Sequence, residues 1–154
     1  MDKITKIDKA GIALITKFEG LKLKPYLCSA KVPTIGYGST RYENGVKVKL
    51  SDNSITQERA NELFKNTLTQ YEQAVDDFTT DKVTQNQFNA LVSFCYNVGA
   101  NALKNSMLLK VVNLDNNSKK IALEFLKWIN AGGKKSKGLL NRRNAEVELY
   151  YKNT

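Results

Sequence analysis

The chain has 154 residues, 42% of them hydrophobic, with 24 lysines and arginines against 15 acids, a formal net charge of +9 and no histidine. That length suits one ordinary domain, or two small lobes on a shared core, able to bury its interior unaided. The missing histidine excludes imidazole acid–base chemistry and most zinc sites, leaving Glu, Asp, Lys, Tyr or Cys to move protons, and the positive charge favours polyanionic partners.

From the N-terminus, Asp8 is placed to cap a short helix whose apolar residues Ile12, Ile15 and Phe18 recur at helical spacing, with Gly20 as its stop. The apolar run from Gly11 to Thr16 lies between Lys9 and Lys17 and is far too short to span a bilayer. It has no small-residue cleavage pattern, so neither a secretion signal nor stable membrane insertion is expected. Leu23 to Val48 reads as extended chain, with Pro25, Pro33, Gly36 and Gly38 as punctuation. Asn44-Gly45, between Tyr42 and the pair Val46 and Val48, predicts a hairpin, giving a small antiparallel sheet of two or three strands.

Thr56 then starts the clearest helix, whose stripe from Ala60, Leu63 and Phe64 through Tyr71 and Val75 to Phe78 keeps spacings of three and four. Thr84 and Gln87 form a capping box ahead of Phe88, Leu91, Val92, Cys95 and Tyr96, with Gly99 as the stop. Ser106 is placed to cap Met107 to Val112. Ser118 is placed to cap a helix from Ile121 to Ile129, closed by Gly132-Gly133. A basic loop from Lys134 to Lys137 and a last helix from about Leu139 to Lys152 complete the chain. The fold class is α+β, mainly helical with one small sheet, in a single domain over residues 1–154. Within it the expected parts are a small lobe over about 12–56, a linking helix over about 57–78, and a helical lobe over about 79–154 that also takes in the first helix.

The chemistry concentrates between Phe18 and Thr40. Glu19, Cys28 and Thr34 place a carboxyl, a thiol and a hydroxyl where a helix end feeds a hairpin, and such a turn can bring all three to the mouth of one cleft. Cleaving a glycosidic bond needs an acid for the departing oxygen and a partner on the other face that attacks or activates water. Glu19 suits the acid, because the negative end of its helix and the neighbouring Phe18 favour the protonated form. Cys28 as a thiolate is a base or nucleophile, and as a thiol it only holds a water. Thr34, fixed after Pro33, can orient that water. Gly36, Tyr37 and Gly38 form the candidate substrate-binding segment, where glycine lets backbone approach a sugar. Cys95, at helical spacing with Leu91 and Val92, reads as core. Two distant cysteines fit a reducing cytosol rather than a disulfide framework.

The pattern Glu19-x8-Cys28-x5-Thr34 followed by Thr34-Ile35-Gly36-Tyr37-Gly38 resembles the catalytic signature of the phage-type lysozymes, or endolysins, of glycoside hydrolase family 24. Further blocks are similar in order: Asn89 to Phe94 with Asn97-Val98-Gly99, Glu124 to Trp128 with Ala131 to Lys134, and Gly138-Leu139 with Arg142-Arg143-x-Ala145-Glu146. The resemblance implies a lysozyme-like fold of two lobes joined by a long helix, and cleavage with inversion of the β-1,4 bond between N-acetylmuramic acid and N-acetylglucosamine in bacterial peptidoglycan. It also implies that Arg142 or Arg143 pairs with the catalytic glutamate, and that Ser106 lines the cleft. Two positions depart from the family pattern. Ser39 stands where histidine is common, and Cys28 where aspartate is usual.

The leading expectation is therefore a muramidase for host lysis, working as a monomer without metal or cofactor. It would wait in the host cytoplasm until a holin-type pore lets it reach the wall. Its partners are peptidoglycan and the anionic cell envelope, not nucleic acid, since no recognition helix, aromatic platform or zinc pattern accompanies the basic residues. The alternatives are a lytic transglycosylase and a catalytically inactive wall-binding or phage structural protein.

Overall fold

A computed structural model describes residues 3–80 and 82–153. They sort into two units, one formed by residues 16–70 and the other by the segment up to Ile15 together with the segment from Tyr71 onward. The first helix, α1 (Lys9–Glu19), opens as its spacing predicts: the Asp8 carboxylate accepts from the Ala10 amide at 3.1 Å, and the Asp8 carbonyl accepts from the Ile12 amide. Gly20 ends it in the left-handed region at φ 68°.

In the unit spanning 16–70, β1 (Lys22–Leu27) and β2 (Pro33–Gly36) pair antiparallel, with a register irregularity between Lys22 and Tyr26. The expected Asn44-Gly45 hairpin is a turn without flanking strands. Gly45 takes φ 84°, the Tyr42 amide donates to the Val46 carbonyl at 2.9 Å, and pairing shrinks to one bridge between Arg41 and Lys47. Arg59 holds this turn on α2 (Gln57–Phe78) through two hydrogen bonds to the Glu43 carboxylate, at 2.6 and 2.8 Å. The Thr56 hydroxyl caps α2 by accepting from the Arg59 amide at 3.1 Å. Ile35, Val48 and Leu63 form the buried core here, with Tyr42 and Ile55 against it.

In the other unit, α3 (Gln85–Val98) is buried along its length from Asn86 to Tyr96, and its Thr84–Gln87 capping box forms as predicted. Gly99 turns the chain into α4 (Ala100–Lys104), a five-residue helix that the periodicity does not announce. Ser106 caps α5 (Met107–Leu114), two residues longer than expected. The helix expected over 121–129 is α6 (Lys120–Leu126), which stops three residues early, because Trp128 donates back only three residues to Phe125. The expected basic loop is instead a hairpin, β3 (Asn130–Ala131) with β4 (Lys134–Lys135), turned by Gly132 at φ 57° and Gly133 at φ 80°. Two successive positive φ angles are what a tight two-residue hairpin requires. The last helix, α7 (Lys137–Tyr151), begins two residues earlier than expected because Ser136 caps it. It packs on α3 and α6. Phe94 of α3 meets Phe125 of α6 and the following Trp128 edge-on, at 5.6 and 5.4 Å.

The segment before α1 is tied to this unit by polar contacts. The Ile7 amide donates to the Glu72 carboxylate at 2.8 Å, the Asn89 amide group donates to the Asp8 carboxylate at 2.7 Å, and Gln85 donates to the Lys6 carbonyl at 2.9 Å. Gly11 sits beneath them. A Cβ there would lie 2.8 Å from the Ile7 Cβ and 2.9 Å from Asn89 Oδ1, and Asn89 is buried. Gly11→Ala should therefore destabilise by about 1–3 kcal/mol from overpacking, offset by about 0.5–1 kcal/mol of helix propensity. A urea midpoint at or above wild type would show that the segment yields freely.

Candidate active site

Glu19 is the last residue of α1 and is half-buried. The chain then runs along β1 to Cys28, turns through residues 29–32, and returns along β2, where Thr34 is 2% exposed. Tyr26 lies opposite Thr34 in the strand register, so the two side chains share one face of the hairpin. Burial first, then the charges at Glu19 and Cys28, push the Tyr26 phenol above its ordinary value. Tyr26 thus lies across from Thr34 and within the electrostatic reach of Glu19 and Cys28.

The Val32 amide directed at the Cys28 sulfur does most to hold the thiol below its ordinary value. Burial opposes this, and the Thr34 hydroxyl and the amides of Ala30 and Cys28 reinforce it. The Thr34 hydroxyl also donates to the Val32 carbonyl at 2.8 Å. It has one proton, so it serves the carbonyl or the sulfur at any moment.

The glycine-punctuated segment makes a tight loop. Ile35 and Ser39 exchange both backbone hydrogen bonds, at 2.9 and 3.0 Å, so Gly36, Tyr37 and Gly38 alone make the reversal. Gly36 at φ 68° and Gly38 at φ 86° adopt backbone that a side chain would strain. The Tyr37 ring packs 5.4 Å from Phe64, and the Ser39 hydroxyl sits 2.8 Å from that of Thr67. The loop is therefore pinned to α2.

Arg142, Arg143 and Ser106 belong to the other unit. Ser106 is 4% exposed, and its hydroxyl is occupied as the cap of α5, donating to the Leu103 carbonyl at 2.7 Å and accepting from the Leu109 amide at 3.1 Å. Arg142 and Arg143 are buried around Glu146, which is fully buried. Glu146 Oε2 accepts from the Ser93 hydroxyl at 2.6 Å and from Arg142 Nε at 3.4 Å. Arg142 also donates to the Ser93 carbonyl at 3.0 Å. Arg143 Nε lies 3.2 Å from Glu146 Oε1, its far nitrogen donates to Asn97, and its guanidinium carbon stands 4.9 Å over the Phe94 ring. Burial pushes the Glu146 carboxyl up, and the charges of Arg143 and Arg142 oppose it. Cys95 is core, as expected, its thiol pushed up to about 12 by burial.

Two features escape sequence reasoning. Tyr26 was two residues before Cys28, a spacing that puts both on one side of a strand, and that signal was available. Glu146 was three and four residues from its two arginines, the spacing of helical ion pairs.

Residues 16–146 match the family described as Phage lysozyme. The endolysin of Bacillus phage B103 is 44% identical over 146 residues, which is 94% of this chain and 53% of that protein, so the chain spans about half that relative's length. The endolysin of Salmonella phage P22 is 37% identical over 145 residues, covering 94% of this chain and 97% of that one. The solved endolysin from Escherichia coli O157:H7 phage FAHEc1 has the same fold, with a TM-score of 0.86 at 36% identity, over 97% of this chain and 95% of the other.

Proposed function

The chain belongs to the phage lysozyme family, and on that footing we propose that it is a muramidase hydrolysing the β-1,4 bond between N-acetylmuramic acid and N-acetylglucosamine in peptidoglycan, for lysis of the host. The observation that supports this reading is the position of Tyr26, across from Thr34 and within the electrostatic reach of Glu19 and Cys28. In the proposed reaction Glu19 gives its proton to the bridging oxygen. Cys28 and Thr34 hold the attacking water on the opposite face of the sugar, which gives inversion. Gly36, Tyr37 and Gly38 supply backbone and ring surface to the glycan. The resemblance assigns Arg142 or Arg143 as partner of Glu19 and Ser106 as a cleft residue, and both assignments belong to this proposal.

No helix among the described residues is long and apolar enough to cross a membrane. With a net charge of +9, the protein suits an anionic envelope reached through a pore made by another phage product. The test is digestion of purified peptidoglycan followed by mass spectrometry of the fragments. Ordinary reducing ends support hydrolysis. Fragments lighter by one water would mean a transglycosylase, and sedimentation with the wall without fragments would mean a binding protein.

Position 28 has its own expected result. Cys28→Ala removes the group that holds the water and should lower turnover about a hundredfold or more. Cys28→Asp restores a hydrogen-bonding anion and should keep a substantial part of the rate. Equal fragment release by the alanine variant and wild type would reduce the thiol to packing.

A further inference from the structure

The turn between the two strands of the site is built on an unusual backbone. Lys31 has φ 60°, the only non-glycine residue with positive φ among the described residues. A residue bearing a Cβ adopts that left-handed conformation at an energetic cost. The turn is closed on either side of it: the Lys31 amide donates to the Cys28 carbonyl at 2.8 Å, and the Cys28 amide donates to the Val32 carbonyl at 3.1 Å. A left-handed residue inside a turn rotates the amides on its two sides toward one concave face, which is an anion-binding arrangement. Here the Lys31 amide is taken by the Cys28 carbonyl, and the amide on its other side, that of Val32, faces the Cys28 sulfur, with the Ala30 amide contributing less. The side chains of Ala30, Lys31 and Val32 are all exposed, so burial of their side chains does not account for the conformation.

We propose that Lys31 is a positioning residue for Cys28, its left-handed backbone aiming the Val32 amide at the sulfur so that the site works with a thiolate as the base. This rests on the muramidase reading and specifies which form of the thiol acts. As the water oxygen bonds to the anomeric carbon, the sulfur takes the water's proton. The glycosidic C–O bond breaks, and the leaving oxygen takes the proton of Glu19. The step ends with a neutral thiol and an ionised carboxylate, and exchange with solvent resets both. Tyr26 of β1 feels the charges of Cys28 and of Glu19 from α1, the Lys22 ammonium stands 5.7 Å from its ring centre, and Lys31 lies in the turn itself. The groups that stabilise its charge are amides and a hydroxyl, led by Val32, not the Lys31 ammonium.

The test is titration of the thiolate by ultraviolet absorbance and by alkylation rate, on the whole chain, with kcat/KM measured against pH in parallel. Cys95 is silent in this range because its thiol is pushed up to about 12. In the wild type the thiol should titrate below the ordinary value of about 8.5. Lys31→Gly accepts the backbone and Lys31→Gln removes only the charge, so both should titrate like wild type. Lys31→Val disfavours the left-handed conformation. It should raise the titration point, lower alkylation at neutral pH about tenfold, as losing one hydrogen bond to a charged group does, and carry the acid limb of kcat/KM upward with it. A wild-type thiol titrating at or above the ordinary value overturns the proposal whether or not Lys31→Val folds. So does a shift in Lys31→Gln equal to that in Lys31→Val. A low thiol titration without glycan cleavage would instead sink the muramidase reading and leave the turn's effect on the sulfur standing.

Discussion

Glu19→Gln should lower glycan cleavage by about a hundred- to ten-thousandfold, the range that a positioned general acid contributes. The amide matches the carboxyl in shape and keeps hydrogen-bonding capacity, but it has no proton to deliver to the departing sugar oxygen. Glu19 is half-buried at the last position of α1, where the next residue, Gly20, already leaves the helix. The substitution therefore changes little packing volume, and calorimetry should show the variant folded. Rates come from reducing-end release on soluble peptidoglycan fragments, with wall binding measured separately. A variant that cleaves within tenfold of wild type would show that the proton comes from another group, and Tyr26 would be the first to examine. A variant that loses wall binding along with cleavage would mean that Glu19 holds substrate as well as protonating it.

The largest expected effect on stability lies at Glu146. Its carboxylate is fully buried beside two buried guanidiniums and the Ser93 hydroxyl. Removing its negative charge takes the shared counter-charge from two guanidiniums at the α3–α7 interface, which also meet the Ser93 carbonyl, Asn97 and the Phe94 ring. Breaking a buried ion pair from one side costs about 3–5 kcal/mol, because the stranded partner keeps its desolvation penalty. For a chain of this length each kcal/mol moves the melting temperature by about 2–4 °C, so Glu146→Gln should lower it by about 10 °C. Glutamine retains the volume, so the loss would report charge and not a cavity. Arg143 Nε and Glu146 Oε1 lie 3.2 Å apart without forming an aligned hydrogen bond. The pair is held by Coulomb attraction and by Arg143's seat on the Phe94 ring more than by geometry. A shift under about 2 °C in calorimetry would mean that the guanidiniums are balanced from elsewhere.

What could be read from the sequence follows the range of the interactions involved. The capping box of α3 was legible because Thr84 and Gln87 are three residues apart and satisfy each other. Ser106 and Ser136 are also caps, and the second was missed because the lysines around it read as loop. The β3–β4 hairpin has strands of two residues, too short for any alternation, and its Gly132-Gly133 turn was mistaken for a helix stop although the pair is also a hairpin signal. The five-residue α4 gave no periodicity to detect. At the site, Glu19, Cys28 and Thr34 were legible as a spacing. Tyr26 joined them only through the cross-strand register, and Lys31's backbone is invisible in its letter, since lysine gives no hint of positive φ.

The division of the chain bears on how the protein is made. A ribosome releases residues 16–70 as one uninterrupted stretch, so that unit can condense while translation continues. The other unit must wait, because the Lys6–Asp8 strap and α7, at residues 137–151, both dock on α3. A nascent chain that lacks α7 leaves Ser93 and the Phe125 ring without Arg142, Glu146 and Tyr150 against them, an unfinished surface open to chaperones and proteases. Folding of this unit therefore waits for α7 to emerge.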